Sequence, residues 1–574
     1  MVMIKEEIKK KLVAAIKKIN LAFDTNSIDL QPPKLFSFGD YSTSIALKLA
    51  KTLKKNPMEI GMVIKQSFEK DNLFEKIDLL PPGFINFWLS KKILLTNLDN
   101  LRQNIFYFYS FSFGKNKKIL IEYAQPNTHK LFHIGHLRNI TLGEALARIF
   151  ETLDNQVIRA NYQGDVGLHI AKCLWAVKKE QEKEKNILEK FKTLEEKIEF
   201  IGKMYTKGTK AYEEDEKAKK EIIEINKQIY ESDKKILVLW QKTRQWSLDY
   251  FEKIYQRVDT QFDRLFFESE MTKQAIEICQ KALKKGILEK SQGAIVFNGK
   301  KHGLDTRVFI NSLGYPTYEG KELALAEKEF SEFGEIDKAI HLTTPEQKSF
   351  FKVTFKVEEL LDPKKFKDKQ YHLSYEWVKL KEGKMSSREG NIIEANWLID
   401  EVKKKILTDF KIDEKTAEKI AVASVKYAFL KTSPENPISF DVKESISLKG
   451  SSAPYILYTY IRAKSILEKE KDAKNEKNLE PSFLTLNQEE NEILRYLVLF
   501  PEAILNSALY FSPHFLCQYL YELSQKFNFF YEHYPILKEK NKNLKTFRLL
   551  LTQATANVIK KGFFMLGIKT VEKM

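Results

Sequence analysis

The chain has only three cysteines, Cys173, Cys279 and Cys517, far apart and with no CxxC pair. That scarcity excludes a disulfide scaffold and the clustered Cys and His ligands of a structural zinc site, so no structural metal is expected and the thiols read as reduced core residues. No apolar run approaches the roughly 20 residues that a membrane-spanning helix needs. The lysine-rich amphipathic start lacks the apolar core and cleavage site of a secretion signal. A cytoplasmic protein without membrane association is expected, and no internal repeat is present.

What the chain has is length and positive charge. At 574 residues it should hold about three or four domains with ample material for real cores. Lysine and arginine number 95 against 78 acids, a formal charge of +17. A basic surface of that size suggests a polyanionic partner, with general lysine richness in AT-rich coding as the bland alternative. Residues 1–110 read as a small α+β unit: an opening helix, a turn at Pro32 and Pro33, helices over Tyr41 to Lys54 and Pro57 to Lys70, and a strand-like Gly83 to Leu89. From about 115 to 395 strand and helix signals alternate, interrupted over about 177–290 by densely charged runs at helical spacing, which read as an insertion with solvated faces. Strand signals return at Ala294 to Phe297, Arg307 to Asn311, Lys338 to Leu342 and His372 to Val378. Residues 396–574 are almost wholly helical, with a lysine-rich surface loop expected at Glu468 to Asn478. The expected fold class is α/β: a Rossmann-like parallel-sheet core with an N-terminal α+β domain and a C-terminal all-α helical-bundle domain.

The most informative stretch is Phe132 to Asn139, Phe-His-Ile-Gly-His-Leu-Arg-Asn, where an apolar strand hands over to an amphipathic helix. Lys117 to Tyr123 reads as a buried strand, Pro126 forbids its continuation, and Leu137, Ile140, Ala145, Leu146, Ile149 and Leu153 repeat at helical spacing. His133 and His136 therefore fall in the first helical turn, where unpaired amides and the positive dipole end attract phosphate. Gly135 lets a polyphosphate approach the backbone. Gln156 to Tyr162 reads as the next strand of the nucleotide-binding unit. About 250 residues later a basic loop follows an apparent strand: Lys384, Met385, Ser386, Ser387, then Arg-Glu-Gly.

An early HxGH and a late KMSS in this order resemble the two signatures of the class I aminoacyl-tRNA synthetases. Ile121 to Gly167, with AQPN, a lysine, HxGHLR, GEALAR and NYQGDVG in succession, resembles the active-site region of the arginyl-tRNA synthetase family. FGDYSTSIALKLAK and PGFINFWLS near the start resemble that family's amino-terminal extra domain, and GSSAPYILYTYIRAKSIL with SPHFLCQYLYELSQKFNFFYEHYPIL its helical anticodon-binding domain.

The resemblance implies a ligase that activates L-arginine with ATP, accompanied by Mg²⁺, and transfers arginine to the 3′ adenosine of tRNA(Arg). A site selective for guanidinium needs carboxylates placed for forked hydrogen bonds. By the match to the family's TYxxx[D/E] element, Tyr318 would line the pocket and Glu322 would grip the guanidinium, with Glu268 as a second acid; the family more usually has aspartate at the Glu322 position. Glu122, Asn127 and Gln347 match positions that hold the ammonium and carboxylate of the substrate. Where class I loops generally carry a second lysine this chain has Ser387, and Lys130, just before HxGH, is expected to compensate at the β/γ phosphates with Lys384. The carboxylate attacks the α-phosphorus without a general base, His133, His136, Lys130 and the loop stabilising charge. The resemblance implies that adenylate formation needs bound tRNA and that the 2′ hydroxyl accepts the arginine. Asp165 and Gly167 read as structural or nucleotide-lining. Tyr455, Tyr458 and Tyr460 near Arg462 could stack anticodon bases, the alternative being helix core. A monomer is expected, and editing is not. Rival readings are a class I synthetase for lysine or cysteine, a small nucleotidyltransferase sharing HxGH chemistry, and a synthetase-derived binding protein without catalysis. The missing Cys/His cluster, the long helical C-terminal region and the presence of both signatures weigh against them.

Overall fold

The computed structural model describes residues 4–18, 24, 27–68, 71–104, 116–381, 393–470 and 485–574. Its centre is a five-stranded parallel sheet: β1 (Lys118–Glu122), β2 (Gln156–Gln163), β3 (Arg264–Phe267), β4 (Lys338–Thr343) and β5 (Gln370–Ser374). The spatial order is β5-β4-β1-β2-β3, with every pairing parallel. The order reverses between β1 and β4, so the crevice beyond their carboxyl ends is where such a sheet receives ligands.

Helices α1 (Ile134–Thr152), α2 (Glu268–Lys284), α3 (Tyr318–Phe333) and α4 (Lys348–Leu361) cover the two faces of this sheet. Alternation along β1 sorts the side chains: Ile119, Ile121 and Tyr123 pack with Ile134, Leu137 and Ile140 of α1, whereas Leu120 joins Ala160, Ala339, Ala324, Leu325 and Phe330 on the α3 side. Both faces are dry, which is why β1 reads as a continuous apolar run. Glu122 follows Leu120 by two residues and therefore points into the α3 side.

The first strand and helix stand where the sequence puts them, and β2 confirms Gln156 to Tyr162. Other elements differ. Tyr41–Thr43 is a strand, paired antiparallel with Ile85 to Phe87, and the expected helix begins only at Ile45 and ends at Leu53. The helix read as Pro57 to Lys70 runs Pro57–Gln66, with Asn56 accepting from the Met58 amide at its start. Ala294–Phe297 and Arg307–Ile310 belong to a separate antiparallel sheet with Glu289–Ser291. The stretch read as one strand from His372 to Val378 is divided: Gln370–Ser374 completes the parallel sheet, and Val378–Leu380 pairs with Ile438–Phe440.

Helices Leu168–Lys183, Leu194–Glu214, Glu216–Tyr230 and Lys234–Arg257 form the insertion. Within the span of about 177–290 the strand β3 and the helix α2 belong instead to the sheet and its cover. Each charged run carries its own stop and start. Thr193 and Glu196 exchange hydrogen bonds of 3.2 and 3.0 Å in a capping box, and the side chains of Asp215 and Asp233 cap the next two helices. Gly208 lies where a Cβ would come within 2.0 Å of the Lys172 carbonyl, so helices Leu168–Lys183 and Leu194–Glu214 touch at backbone distance.

The C-terminal region is a packed set of helices, among them Glu414–Leu430, Ala453–Lys469, His514–His533 and Lys542–Met565. Glu468 and Lys469 are helical rather than part of a surface loop, and residues 471–484 lie outside the described residues. The amino-terminal unit docks on these helices: Tyr41 donates to Glu502 at 2.6 Å, Lys5 pairs with Glu502 at 2.8 Å, Arg495 pairs with Asp40, and Asn557 donates to the carbonyls of Leu101 and Arg102 at 3.0 and 2.8 Å. Lys426, fully sealed from solvent, donates to the carbonyls of Val258 and Gly567, joining the insertion's last helix to the end of the chain. Among the described residues no helix is long and apolar enough to cross a membrane.

Candidate active site

The turn that follows β1 is held in an unusual shape. Ala124, Gln125 and His129 all have positive φ, of 73°, 47° and 63°. Such residues persist only where their surroundings over-determine them. Here Asn139 of α1 accepts from the Ala124 amide at 2.6 Å and donates to the Leu342 carbonyl of β4 at 2.8 Å, and Asn161 of β2 accepts from the Gln125 amide at 3.1 Å. His129 is fully buried, its amide donating to Ser247 and its ring touching Thr243 at 2.8 Å, so the insertion clamps the turn from outside. Arg138 gathers four carbonyls, of Glu376, Trp377, Pro434 and Asn436. The Arg-Asn that follows HxGHL is thus a brace; its role was hidden because most of its partners lie more than 200 residues away.

His133 caps α1. Its Nδ1 accepts from the amides of Gly135 and His136 at 3.1 and 3.4 Å, while the Nδ1 of His136 accepts from the His133 amide at 3.2 Å. Because both Nδ1 atoms accept, both protons sit on Nε2, and two parallel rings 3.7 Å apart present N–H donors. Burial, then the neighbouring Lys130, pushes His133 down to about 4. Burial, then His133 and Lys130, lowers His136 well below its ordinary value. The amides expected to receive phosphate directly are occupied by an imidazole. Gly135 has a different purpose from the one expected: a Cβ there would lie 2.9 Å from Cε1 of His133, so glycine makes room for the ring.

Lys130 stands beside this pair with its ammonium 5.3 Å from the Tyr205 ring centroid. Lys384, Met385, Ser386 and Ser387 lie outside the described residues. The chain that follows them is placed: Ile134 donates to the Ile393 carbonyl and Ala395 to the Phe132 carbonyl, each at 2.9 Å, and Tyr250 donates to Glu394 at 2.7 Å.

The acids expected around arginine form two groups. Glu122 at the end of β1, Glu322 on α3 and His341 on β4 are all buried, with ligand atoms within 4.8 Å of one another. Burial, then the Glu122 charge, raises the Glu322 carboxyl well above its usual range. Glu268, at the start of α2, is paired with Lys321 at 2.7 Å, and Lys321 also donates to the Tyr230 hydroxyl at 3.1 Å. A buried carboxylate needs a counter-charge, and Glu268 receives one from this chain. A Cβ on Gly164 would lie 2.1 Å from Oδ1 of Asn127 and 3.2 Å from Oε1 of Glu268, which places Asn127 in this second group. Tyr318 is exposed, with its ring 5.5 Å from the Lys321 ammonium. Gln347 is exposed, at the end of a short turn, and none of the hydrogen bonds described joins its side chain to either group.

Three residues unremarked in sequence complete the site. The hydroxyl of Tyr162 is buried and unpaired among the described residues, and Glu268, Glu322 and Glu122 all bear on it. His169 sits near Lys130 and Lys321, its Nε2 without a hydrogen-bond partner among the described residues, and burial pushes it down to about 3. His341 is the third. Asp165 is structural: Arg244 holds it at 2.9 Å and it accepts from the Ser269 amide and hydroxyl at 2.8 and 2.7 Å, fixing the start of α2. In the C-terminal helices Tyr460 is core and Tyr455 half-buried, whereas Tyr458 is exposed, and the rings of Tyr458 and Tyr531 lie 4.7 and 4.5 Å from the Arg462 guanidinium.

The parallel sheet and the capping histidine pair at its first helix fit a class I aminoacyl-tRNA synthetase, and the family model described as tRNA synthetases class I (R), catalytic domain, matches residues 101–441. Flanking it, the models described as Arginyl tRNA synthetase N terminal domain and DALR anticodon binding domain match residues 6–89 and 456–574. The chain belongs to the arginyl-tRNA synthetase family. It is 32% identical to the arginine–tRNA ligase of Borreliella burgdorferi, over 100% of this chain and 99% of that protein, and 31% identical to that of Bdellovibrio bacteriovorus, over 95% and 94%. The fold is that of the solved arginyl-tRNA synthetase of Plasmodium falciparum, with a TM-score of 0.81 at 22% identity over the whole of both chains. The Thermus thermophilus arginyl-tRNA synthetase gives 0.78 at 22% identity over 99% of this chain and 100% of that one.

Proposed function

We propose that this chain joins L-arginine to tRNA(Arg) with ATP, and that the switch-point crevice between β1 and β4 is the seat of the chemistry. The observation that carries the residue-level reading is the meeting of Glu122, at the end of β1, and Glu322, on α3, two buried carboxyls far apart in the chain. A planar cation with five donors is the ligand that such a pair accepts in forked geometry, and lysine's single ammonium cannot engage both forks. Glu122, placed by sequence at the amino-acid end of the substrate, is better read with Glu322 at the guanidinium. Asn127 and Gln347 are left for the ammonium and carboxylate, Tyr318 for the pocket wall, and Glu268 acts through Lys321.

In the first step the arginine carboxylate attacks the α-phosphorus of ATP, a P–O bond forms, and the bond to pyrophosphate breaks. No proton moves from the nucleophile, so alignment and charge stabilisation supply the rate. The Nε2–H groups of His133 and His136 donate to phosphate oxygens, Lys130 neutralises the β/γ phosphates with Lys384 assisting, and Met385, Ser386 and Ser387 belong to the same nucleotide-binding signature. Mg²⁺, carried by the ATP phosphates, neutralises charge on the leaving group. A ribose hydroxyl of the 3′ adenosine then attacks the adenylate carbonyl. Residues 1–110 and 396–574 act as separate tRNA-holding units around the catalytic unit of 115–395, with Tyr458, Arg462 and Tyr531 offered to anticodon bases. The protein works as a cytoplasmic monomer.

Charging of total tRNA, with arginine, lysine and cysteine offered separately, tests the reading. Arginine alone should give ATP-dependent aminoacyl-tRNA; charging with lysine and not arginine rejects it.

A further inference from the structure

Register places Glu122, His341 and His372 in one row across β1, β4 and β5, all on the side of the sheet facing α3 and α4. His341 is fully buried in the middle of that row. Its Nδ1 is 2.7 Å from Oε2 of Glu122 and its Nε2 is 2.8 Å from Oε1 of Gln370. Gln370 is itself oriented, because its Nε2 donates to Glu358 at 2.7 Å and so turns its oxygen to the imidazole. Both ring nitrogens thus face acceptors, and only the doubly protonated ring satisfies both.

We propose that His341 is a positioning residue for arginine recognition: its ring, hydrogen-bonded through both nitrogens, holds the Glu122 carboxylate in one orientation for the incoming guanidinium. The proposal rests on the reading of Glu122 and Glu322 as the guanidinium acids.

The surroundings leave few alternatives. Facing His341 are Glu122 from β1, His372 from β5, Glu322 and Glu329 from α3 and Glu358 from α4, with the rings of Phe351 and Phe355 5.4 and 5.5 Å away. Both carboxylate oxygens of Glu329 and one of Glu358 have no hydrogen-bond partner among the described residues. Four buried carboxyls share a single cation, and they cannot all ionise. Burial first, then their mutual charge, pushes Glu322 and Glu329 well above the carboxylate range, and burial raises Glu358 to about 7. Burial alone would lower His341, yet the hydrogen bond and charge of Glu122, with Glu329 and Glu322, lift it to about 10. Burial, then this charged neighbour, pushes His372 down to about 4. Glu122 is the acid that touches the cation. Without His341 its Oε2 loses the donor that fixes its orientation.

His341→Gln and His341→Phe both remove the imidazolium that contacts Glu122 at 2.7 Å. We expect His341→Gln to raise arginine KM about tenfold near neutrality, the loss of one charge-assisted hydrogen bond, with kcat and ATP KM within about twofold. A KM for arginine unchanged there overturns the proposal. Glu122→Gln and Glu322→Gln separate its failure from that of the underlying reading: if neither raises arginine KM, the pocket assignment falls, and if both do while the His341 variants do not, only the role of His341 falls. Should the variants not fold, nitrogen-15 NMR of the histidine-labelled unaltered protein decides. One ring with both nitrogens protonated near pH 8.5, where free imidazoles are neutral, is expected; a wholly neutral set rejects the proposal.

Discussion

Gly135 is the residue on which the histidine pair turns. Its missing Cβ lets the His133 ring fold back onto the helix start and hold its own Nε2–H outward. Gly135→Ala should push the ring off, costing about 1 kcal/mol of helix cap and, separately, a much larger share of turnover, since the donor is misaimed. A melting curve and a charging rate read the two independently, and an unchanged rate would show that the ring's placement is not used. Because burial keeps His133 at about 4, the pair works as neutral donors at physiological pH. The kcat profile should therefore carry no step near 6.5 from these groups; such a step, abolished in His133→Asn, would mean that the imidazolium is the working form. Lys130→Ala should lower kcat at least about tenfold while arginine KM moves little, because its charge serves the phosphates and not the amino acid.

At the scale of elements, the insertion depends on one close approach. Gly208→Val places two methyl groups against the Lys172 backbone, where no side chain can yield, and should cost about 1–3 kcal/mol, visible as early loss of helicity on heating. A melting temperature unchanged from that of the unaltered protein would show that the helices can part without penalty. The same elements show what sequence could and could not reveal. Lys117 to Tyr123 and the helix after it were legible because burial on both faces and a 3.6-residue period are written locally. β3 was not, since Arg-Leu-Phe-Phe is four residues between charged helices and becomes a strand only by pairing with β2. Tyr41–Thr43 likewise takes its conformation from Phe84–Leu89. The site divided in the same way: the histidine pair announced itself through its junction, whereas Glu122 and His341 meet through strand register across 219 positions, which no local pattern encodes.

For the whole molecule, an excess of 95 basic over 78 acidic groups makes tRNA affinity a salt-dependent quantity. If about six phosphates are contacted, the dissociation constant should weaken about a thousandfold between roughly 50 and 200 mM salt, and a flat response would remove the polyanion from the explanation of the charge. The amino-terminal unit is tied to the carboxy-terminal helices through Asp40, Tyr41, Leu101 and Arg102. Lys426 lies at another junction, between the insertion and the end of the chain, its ammonium spent on two carbonyls and its proton loosened by burial to about 7. An amine of that kind is intrinsically ready to acylate yet walled off from any reagent. It can take up a label only when the junction of Val258, Gly567 and its own helix parts, so a single lysine reports the opening of that junction.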